Sequence, residues 1–552
     1  MRDVGLPDGS QSDTGRFDAG FMPRIDAGTD GGNDAGSDAG SDGGSDAFVR
    51  CTTGQTRCVD GLVSTCDPAI NDFAAPVDCP LNSFCTGDIC APVSGPLAVQ
   101  SNTLGDVAQY IIDYTGSPTA LPMESALQQA RRSLYRSAGT PADFGRAVTT
   151  IFNVNPTGHG ALGFGAADFS ACRGTVSPYS SANVSQYGVC SRAAGDTAII
   201  TSISANAADN VLGLRLGERI VSVRSGSVEW PAGSFLASVD AQPICRAGVP
   251  NLTARREYAA SSLFSILRIG DIVRVQAVDG VMREVTVAAA APRVIGCYDG
   301  LRRPSRVNAF AVYQRPDGVV VVVLPTLGSH PEHPFPTPLT AAGYVTWIRE
   351  SIARVTTAIN AFTGIRGLVY DLRGNNGGSP EYGMGLIARM PATEGGIGNC
   401  YARVPMSAPP GFNPTVEYPF PRAGIGGDSL PAPPISSLPA SIRQAVVTDG
   451  NTYSAGDWMA WYARRNGVPV VGRPAAGAFG YQTGASYVDR TFPAPAGEHD
   501  AVLIYLSGAH CVDVAGAEME GTSTVDTLVD FSGADLAAGV DTQLEAAAAS
   551  VL

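Results

Sequence analysis

Gln444–Asp457 reads QAVVTDGNTYSAGD. Ala445-Val446-Val447-Thr448 is an apolar run of strand length, Asp449-Gly450-Asn451 is a polar turn, and an amphipathic run extends from Asp457 to Arg465. Ser454 therefore falls at a strand-to-helix turn. Backbone N–H groups converge there and the helix dipole favours developing negative charge. A serine nucleophile needs such a place, because its oxyanion must meet donors already in position. A serine at a helix start can equally serve as an N-cap.

The neighbouring sequence alternates strands and helices. Val319–Leu324 is a continuous apolar strand. Ile348, Ile352, Val355, Ile359 and Phe362 form a helical stripe. Leu368–Leu372 is the next strand and runs into Arg373-Gly-Asn-Asn-Gly-Gly378; Val468–Val471 follows the Ser454 helix. Such alternation predicts an α/β unit whose largely parallel sheet is covered on both faces.

Ahead of this unit the pattern changes twice. Residues 104–154 read as helical, with Met123, Leu127, Ala130 and Leu134 on one face. A second stripe follows Thr140-Pro141, namely Phe144, Ala147, Val148 and Ile151. Short strands and turns begin near Gly160. Asp196–Ile203, Leu214–Val221, Ile269–Val273 and Val285–Val287 fit a strand–helix–turn–strand order that resembles an enlarged PDZ domain. In that resemblance Leu162-Gly163-Phe164 stands for the loop that cradles a peptide C-terminus. A small all-β domain with ordinary glycine turns is the other reading.

The 552 residues carry a formal charge of −14, and this length predicts about three folded units. Ten aspartates against three arginines in residues 1–48 supply −7 of that charge. The Asp-Ala-Gly and Ser-Asp repeats there predict a flexible linker able to hold a domain off a membrane surface. There is no basic patch and no nucleic-acid motif, which argues against nucleic-acid binding. All 37 basic residues are arginine, so chemistry that needs a lysine base, nucleophile or Schiff base is excluded.

Twelve cysteines point to an oxidising compartment. Six lie between Cys51 and Cys90 without a paired CxxC, so disulfides are expected there rather than a metal site. Sequence does not fix the pairing of the others; Cys172–Cys190, Cys245–Cys297 and Cys400–Cys511 are candidate pairs. No apolar run reaches membrane-spanning length. No export leader is visible at Met1, and a start with its signal is expected upstream.

Three ordered motifs make a resemblance specific: DLRGNNGG (Asp371–Gly378), TYSAGD (Thr452–Asp457) and VVGRPAAG (Val470–Gly477), with a closing helical pattern GADLAAGVDTQLEAA (Gly533–Ala547). Together they resemble the serine peptidases that include tail-specific (C-terminal processing) proteases and the tricorn core protease, over roughly residues 105–552. The resemblance implies a multi-domain α/β protein, with an α/β (ClpP/crotonase-like) peptidase domain. Its expected order is a disordered linker (1–48), a small cysteine-rich module (49–92), a helical segment (96–158), a PDZ-like domain (159–298) and the peptidase domain (299–552).

Within that resemblance, Ala478 stands where tail-specific proteases carry their lysine. The tricorn-like alternative implies a histidine base ahead of the PDZ-like unit and a late glutamate, here His159 and Glu520. Gly158 replaces the orienting serine, so the link from glutamate to histidine is expected to be direct or through water. The oxyanion hole is expected from the N–H of Ala455 with that of Gly377 or Gly378. His330 and His333 could line the cleft or substitute as base, while His510 reads as structural and His499 sits in a polar turn. No metal or cofactor is called for, and a peptide or protein substrate is implied. The rival expectation is an inactive relative that binds peptides at a surface, favoured by the absent lysine and by Gly158.

Overall fold

The computed structural model describes residues 51–552 apart from 165–183, 242–250, 297–309, 329–332, 388–397, 405–410, 421–437, 481–486, 493–501 and several shorter gaps. The acidic repeats of 1–48, His330 and His499 therefore lie outside the described residues, as do Cys172, Cys245 and Cys297 with their candidate pairings.

The module after Cys51 is two small antiparallel sheets held by Cys51–Cys66, Cys58–Cys85 and Cys79–Cys90. Disulfides are what a unit with so little apolar content needs. Cys190 and Cys511 are also disulfide-bonded, and the strand register sets Cys511 opposite Cys400.

Three helices follow, Gly95–Tyr114, Met123–Arg136 and Pro141–Phe152. Met123, Ala130, Leu134, Phe144, Ala147, Val148 and Ile151 are all buried in their shared core, as the stripes require. Ile504 and Leu506 complete that core. They belong to the strand Val502–Ser507, which pairs with Tyr487–Phe492 on one side and Ala161–Phe164 on the other.

That pairing corrects one expectation. Leu162, Gly163 and Phe164 are not a carboxylate-cradling loop. They form a strand whose register sets Leu162 opposite Ile504 and Phe164 opposite Val502, in a sheet separate from the unit they were expected to open. A four-residue extended segment satisfies its backbone most readily in a ladder, and here the partner comes from more than 300 residues away in sequence.

The unit between the helices and the peptidase sheet is antiparallel, in the order Met282–Thr286, Ile272–Gln276, Arg219–Ser225, Thr197–Ile203, Val189–Ala194. The helices Ala232–Ala241 and Leu252–Ile266 supply Phe235, Leu236, Leu263 and Phe264 to its core.

The last unit is built on a six-stranded sheet: Ala311–Gln314, Val319–Val323, Gly367–Asp371, Gln444–Thr448, Val470–Gly472, Thr527–Leu528. The first pair is antiparallel and the other four are parallel. Val319–Val323 shows why a continuous apolar run belongs here. Val320 and Val322 face the helices Ala341–Asn360 and Ala455–Arg465, while Val319, Val321 and Val323 face the C-terminal helix Thr542–Val551. Buried Arg373 ties that last helix to the sheet, reaching Asp371 at 2.7 Å and the helix N-cap Asp541 at 2.8 Å. The result is a covered α/β sheet whose strand ends carry the two turns that matter next.

Candidate active site

Both turns leave the carboxyl ends of adjacent parallel strands and are laced together. Tyr453 N–H donates to Asn375 O (2.9 Å), the Thr452 hydroxyl to Leu372 O (2.8 Å), and Gly374 N–H to Asp449 Oδ1 (2.9 Å). Within this lacing Ser454 takes φ 57° and ψ −116°, a sparsely populated conformation that the surrounding hydrogen bonds must hold. Its side chain makes no cap hydrogen bond to the helix it precedes. The hydroxyl faces His159 instead, with Nε2 2.7 Å from Oγ.

His159 has positive φ as well, 59°. Its N–H donates to Tyr453 Oη at 2.6 Å, and the two rings lie 5.0 Å apart. Burial lowers the imidazole pKa to about 3, because a charged ring would lose its hydration. The ring is therefore neutral near pH 7, and a neutral ring can accept a proton.

Gly377 must be glycine. It sits at φ +96°, and a Cβ there would lie 2.6 Å from the Ser454 Cβ. Its own N–H is committed to Asn375 Oδ1 at 2.8 Å. Of the expected oxyanion donors this leaves Gly378 and Ala455, the latter being the first helical residue, whose N–H has no acceptor within the helix. Gly378 (φ +133°) lies tight against Leu327 and Gly328, where a Cβ would fall 2.1 Å from Gly328 N.

Glu520 comes to the site in a different way from the one expected. Its carboxylate accepts the Gly158 N–H through one oxygen, and Phe479 N–H (2.9 Å) and Gly480 N–H (2.8 Å) through the other. It thus holds the backbone residue before His159. Burial raises its pKa to about 7.

Beyond Gly328 opens a cleft walled by Phe310, Trp347, Tyr382, His333 and Arg354. His333 is engaged away from Ser454. Its ring stacks on Trp347 at 5.6 Å and its Nε2 lies 3.3 Å from Trp347 O. His510 lies in the strand Ala509–Asp513 beside Cys511.

Several residues at the site had no role in the sequence reading. Tyr453 and Asn375 lace the turns, and Asp457 is buried beneath them. Asp457 carried a signal, since serine with an acid three residues later is close to a capping box. The helix Leu252–Ile266 also packs near the Ser454 turn, Ala254 sharing one buried cluster with Tyr453, Ala476 and Ala478. Beside it, buried Glu257 meets Arg473 (3.2 Å) and Arg192 (3.9 Å), and Arg192 meets Asp449 (3.6 Å). Burial raises the Glu257 pKa against the pull of both arginines.

Residues 343–522 match the model described as peptidase family S41. Among solved structures the fold is similar to mature CPAF complexed with lactacystin, with TM-score 0.51 and 12% identity over 83% of this chain and 98% of that one. Mature CPAF gives TM-score 0.50 and 12% identity over 81% and 95%. The photosystem II D1 C-terminal processing protease aligns at TM-score 0.37 and 14% identity over 82% and 97%. No curated protein sequence matches the chain. At such identities the likeness to CPAF is one of fold.

Proposed function

From the premise that residues 343–522 match peptidase family S41 and that the chain is a serine-type peptidase, we propose that it hydrolyses peptide bonds through an acyl-enzyme on Ser454, with His159 as general base. The observation that carries this reading is the 2.7 Å approach of His159 Nε2 to Ser454 Oγ, combined with a ring kept neutral by burial. His159 takes the hydroxyl proton as Oγ attacks the carbonyl carbon, and returns it to the leaving amine. The tetrahedral oxyanion is met by the N–H groups of Gly378 and Ala455. Water then repeats the sequence on the acyl-enzyme, with His159 again as base. Glu520 acts through the backbone of Gly158, keeping the histidine segment in place.

The antiparallel unit at Val189–Thr286 is read as PDZ-like and as an aid to substrate recognition. Its support is the order of strands and helices and the packing of Leu252–Ile266 near the Ser454 turn. An extracytoplasmic location is proposed from the disulfide bonds, with tethering through the acidic linker.

Labelling with a fluorophosphonate tests the mechanism. The expected result is modification at Ser454 that is lost in Ser454→Ala and in His159→Ala. Labelling that survives in His159→Ala would remove the histidine from the mechanism. A folded wild-type chain that never labels would instead support an inactive, peptide-binding relative.

A further inference from the structure

Asp457 lies one turn into the helix Ala455–Arg465, fully buried, and no step of the hydrolysis above uses it. Its carboxylate accepts Gly477 N–H at 2.8 Å and Ala478 N–H at 3.2 Å, in the loop that follows the strand Val470–Gly472. The backbone of Ser454 also favours its ionised form, against the effect of burial. Ser454 and Asp457 stand at the N-cap and third helical positions that a capping box uses. The serine half of such a box is not made, because the Ser454 hydroxyl makes no cap bond and faces His159. The hydroxyl thus stays available for chemistry.

Glu520 does the matching work on the next two residues. It accepts the amides of Phe479 and Gly480, together with that of Gly158. Four consecutive amides, 477 to 480, are therefore gripped by two carboxylates, Asp457 buried and Glu520 partly so. One of these stands in the first turn of the helix that Ser454 precedes, and the other holds the residue before His159.

We infer that Asp457 is a positioning residue for Ser454, forming with Glu520 a two-carboxylate clamp that fixes the 477–480 loop and through it the approach of Ser454 to His159. This rests on the nucleophile reading above. A neutral isostere cannot replace the acid, since an amide side chain would turn its own N–H₂ toward backbone donors. Burial raises both acids, Asp457 to about 8 and Glu520 to about 7. Well-packed apolar side chains would avoid that desolvation, so acids at both positions are explained by geometry.

The test compares the full chain with Asp457→Asn and Asp457→Glu in two readouts. Amide hydrogen exchange reports the clamp without any chemistry. Asp457→Asn is expected to lose protection at Ser454, Gly477 and Ala478 while the sheet strands keep theirs. Fluorophosphonate labelling reports the nucleophile. Asp457→Asn is expected to label about 100-fold more slowly with a shifted acid limb, and Asp457→Glu to recover most of the rate, glutamate being the usual capping-box partner. Unchanged exchange at those three amides would overturn the inference. So would wild-type labelling and pH profile in a variant whose exchange has changed. Where Asp457→Asn does not fold, Glu520→Gln decides: loss of protection at Gly158, Phe479 and Gly480 that spreads to Gly477 and Ala478 supports one clamp, and loss confined to the first three overturns it. A wild-type chain that fails to label sinks the nucleophile reading, and exchange alone then decides whether the clamp stands.

Discussion

A side chain on Gly158 would collide with Ala478: a Cβ built on the glycine lies 2.4 Å from the Ala478 Cβ, 2.8 Å from its Cα and 3.0 Å from Glu520 Oε1. Residue 478 is the position at which related peptidases are expected to carry a lysine, and residue 158 is where others carry an orienting serine. In this chain the two positions occupy one space, and His159 is delivered beside it. Gly158→Ala should therefore push the histidine segment away from Ser454. The expected outcome is a fall in fluorophosphonate labelling of about 100-fold. Adding Ala478→Gly should recover part of that loss, because it removes the nearest atom. Equal labelling in the single and double variants would show that the contact does not set the position of the histidine.

Gly377→Ala places a Cβ 2.6 Å from the Ser454 Cβ at φ +96°. Labelling should be lost while the fold survives. Gly364→Ala is the matched control, with φ +65° but open space around it. It should carry the backbone strain, about 1–3 kcal/mol at most, and label as wild type.

The pH dependence separates the carboxylates from the histidine. A protonated carboxyl no longer accepts all its amides, so labelling should fall as pH drops through the raised values of about 8 and about 7. His159, lowered to about 3, stays neutral through that window and does not set the limb. Stability has the opposite slope. The folded pKa values of both acids lie above the unfolded values, near about 4, so the folded chain holds protons that the unfolded chain has released. That contribution is fully present below the unfolded pKa and is lost as pH rises through the folded one. The unfolded histidine titrates only near 6.5 and below. Between about pH 6.5 and 8.5 the melting temperature should therefore fall while labelling rises. Parallel slopes would remove the clamp as the titrating element.

Glu257→Ala leaves Arg192 and Arg473 buried with less compensation, and Gly450 packs directly on the lost side chain. The expected loss is about 3–5 kcal/mol in urea unfolding. Because Asp449 shares Arg192 with Glu257 and holds the turn before Ser454, labelling should fall as well. Unchanged labelling would mean that the antiparallel unit and the catalytic turn are energetically separate.

The sequence by itself determined the covered α/β sheet, two of the three packed helices and the strand-to-helix turn at Ser454. Each is a local pattern: Val319–Val323 apolar on both faces, Met123 to Leu134 at helical spacing, Ser454 between a strand and a helix. It also removed the lysine mechanism, because a residue type that is absent needs no structure to exclude it. Only the tertiary structure decided that Leu162–Phe164 pairs with Val502–Ile504, a register set between segments more than 300 residues apart. It likewise decided that Glu520 serves backbone amides and that Gly377 has already committed its N–H to Asn375. Local periodicity reports which face of an element is buried. It does not report which distant atoms an unpaired donor or a buried carboxylate will find, because those partners are chosen when the chain closes on itself.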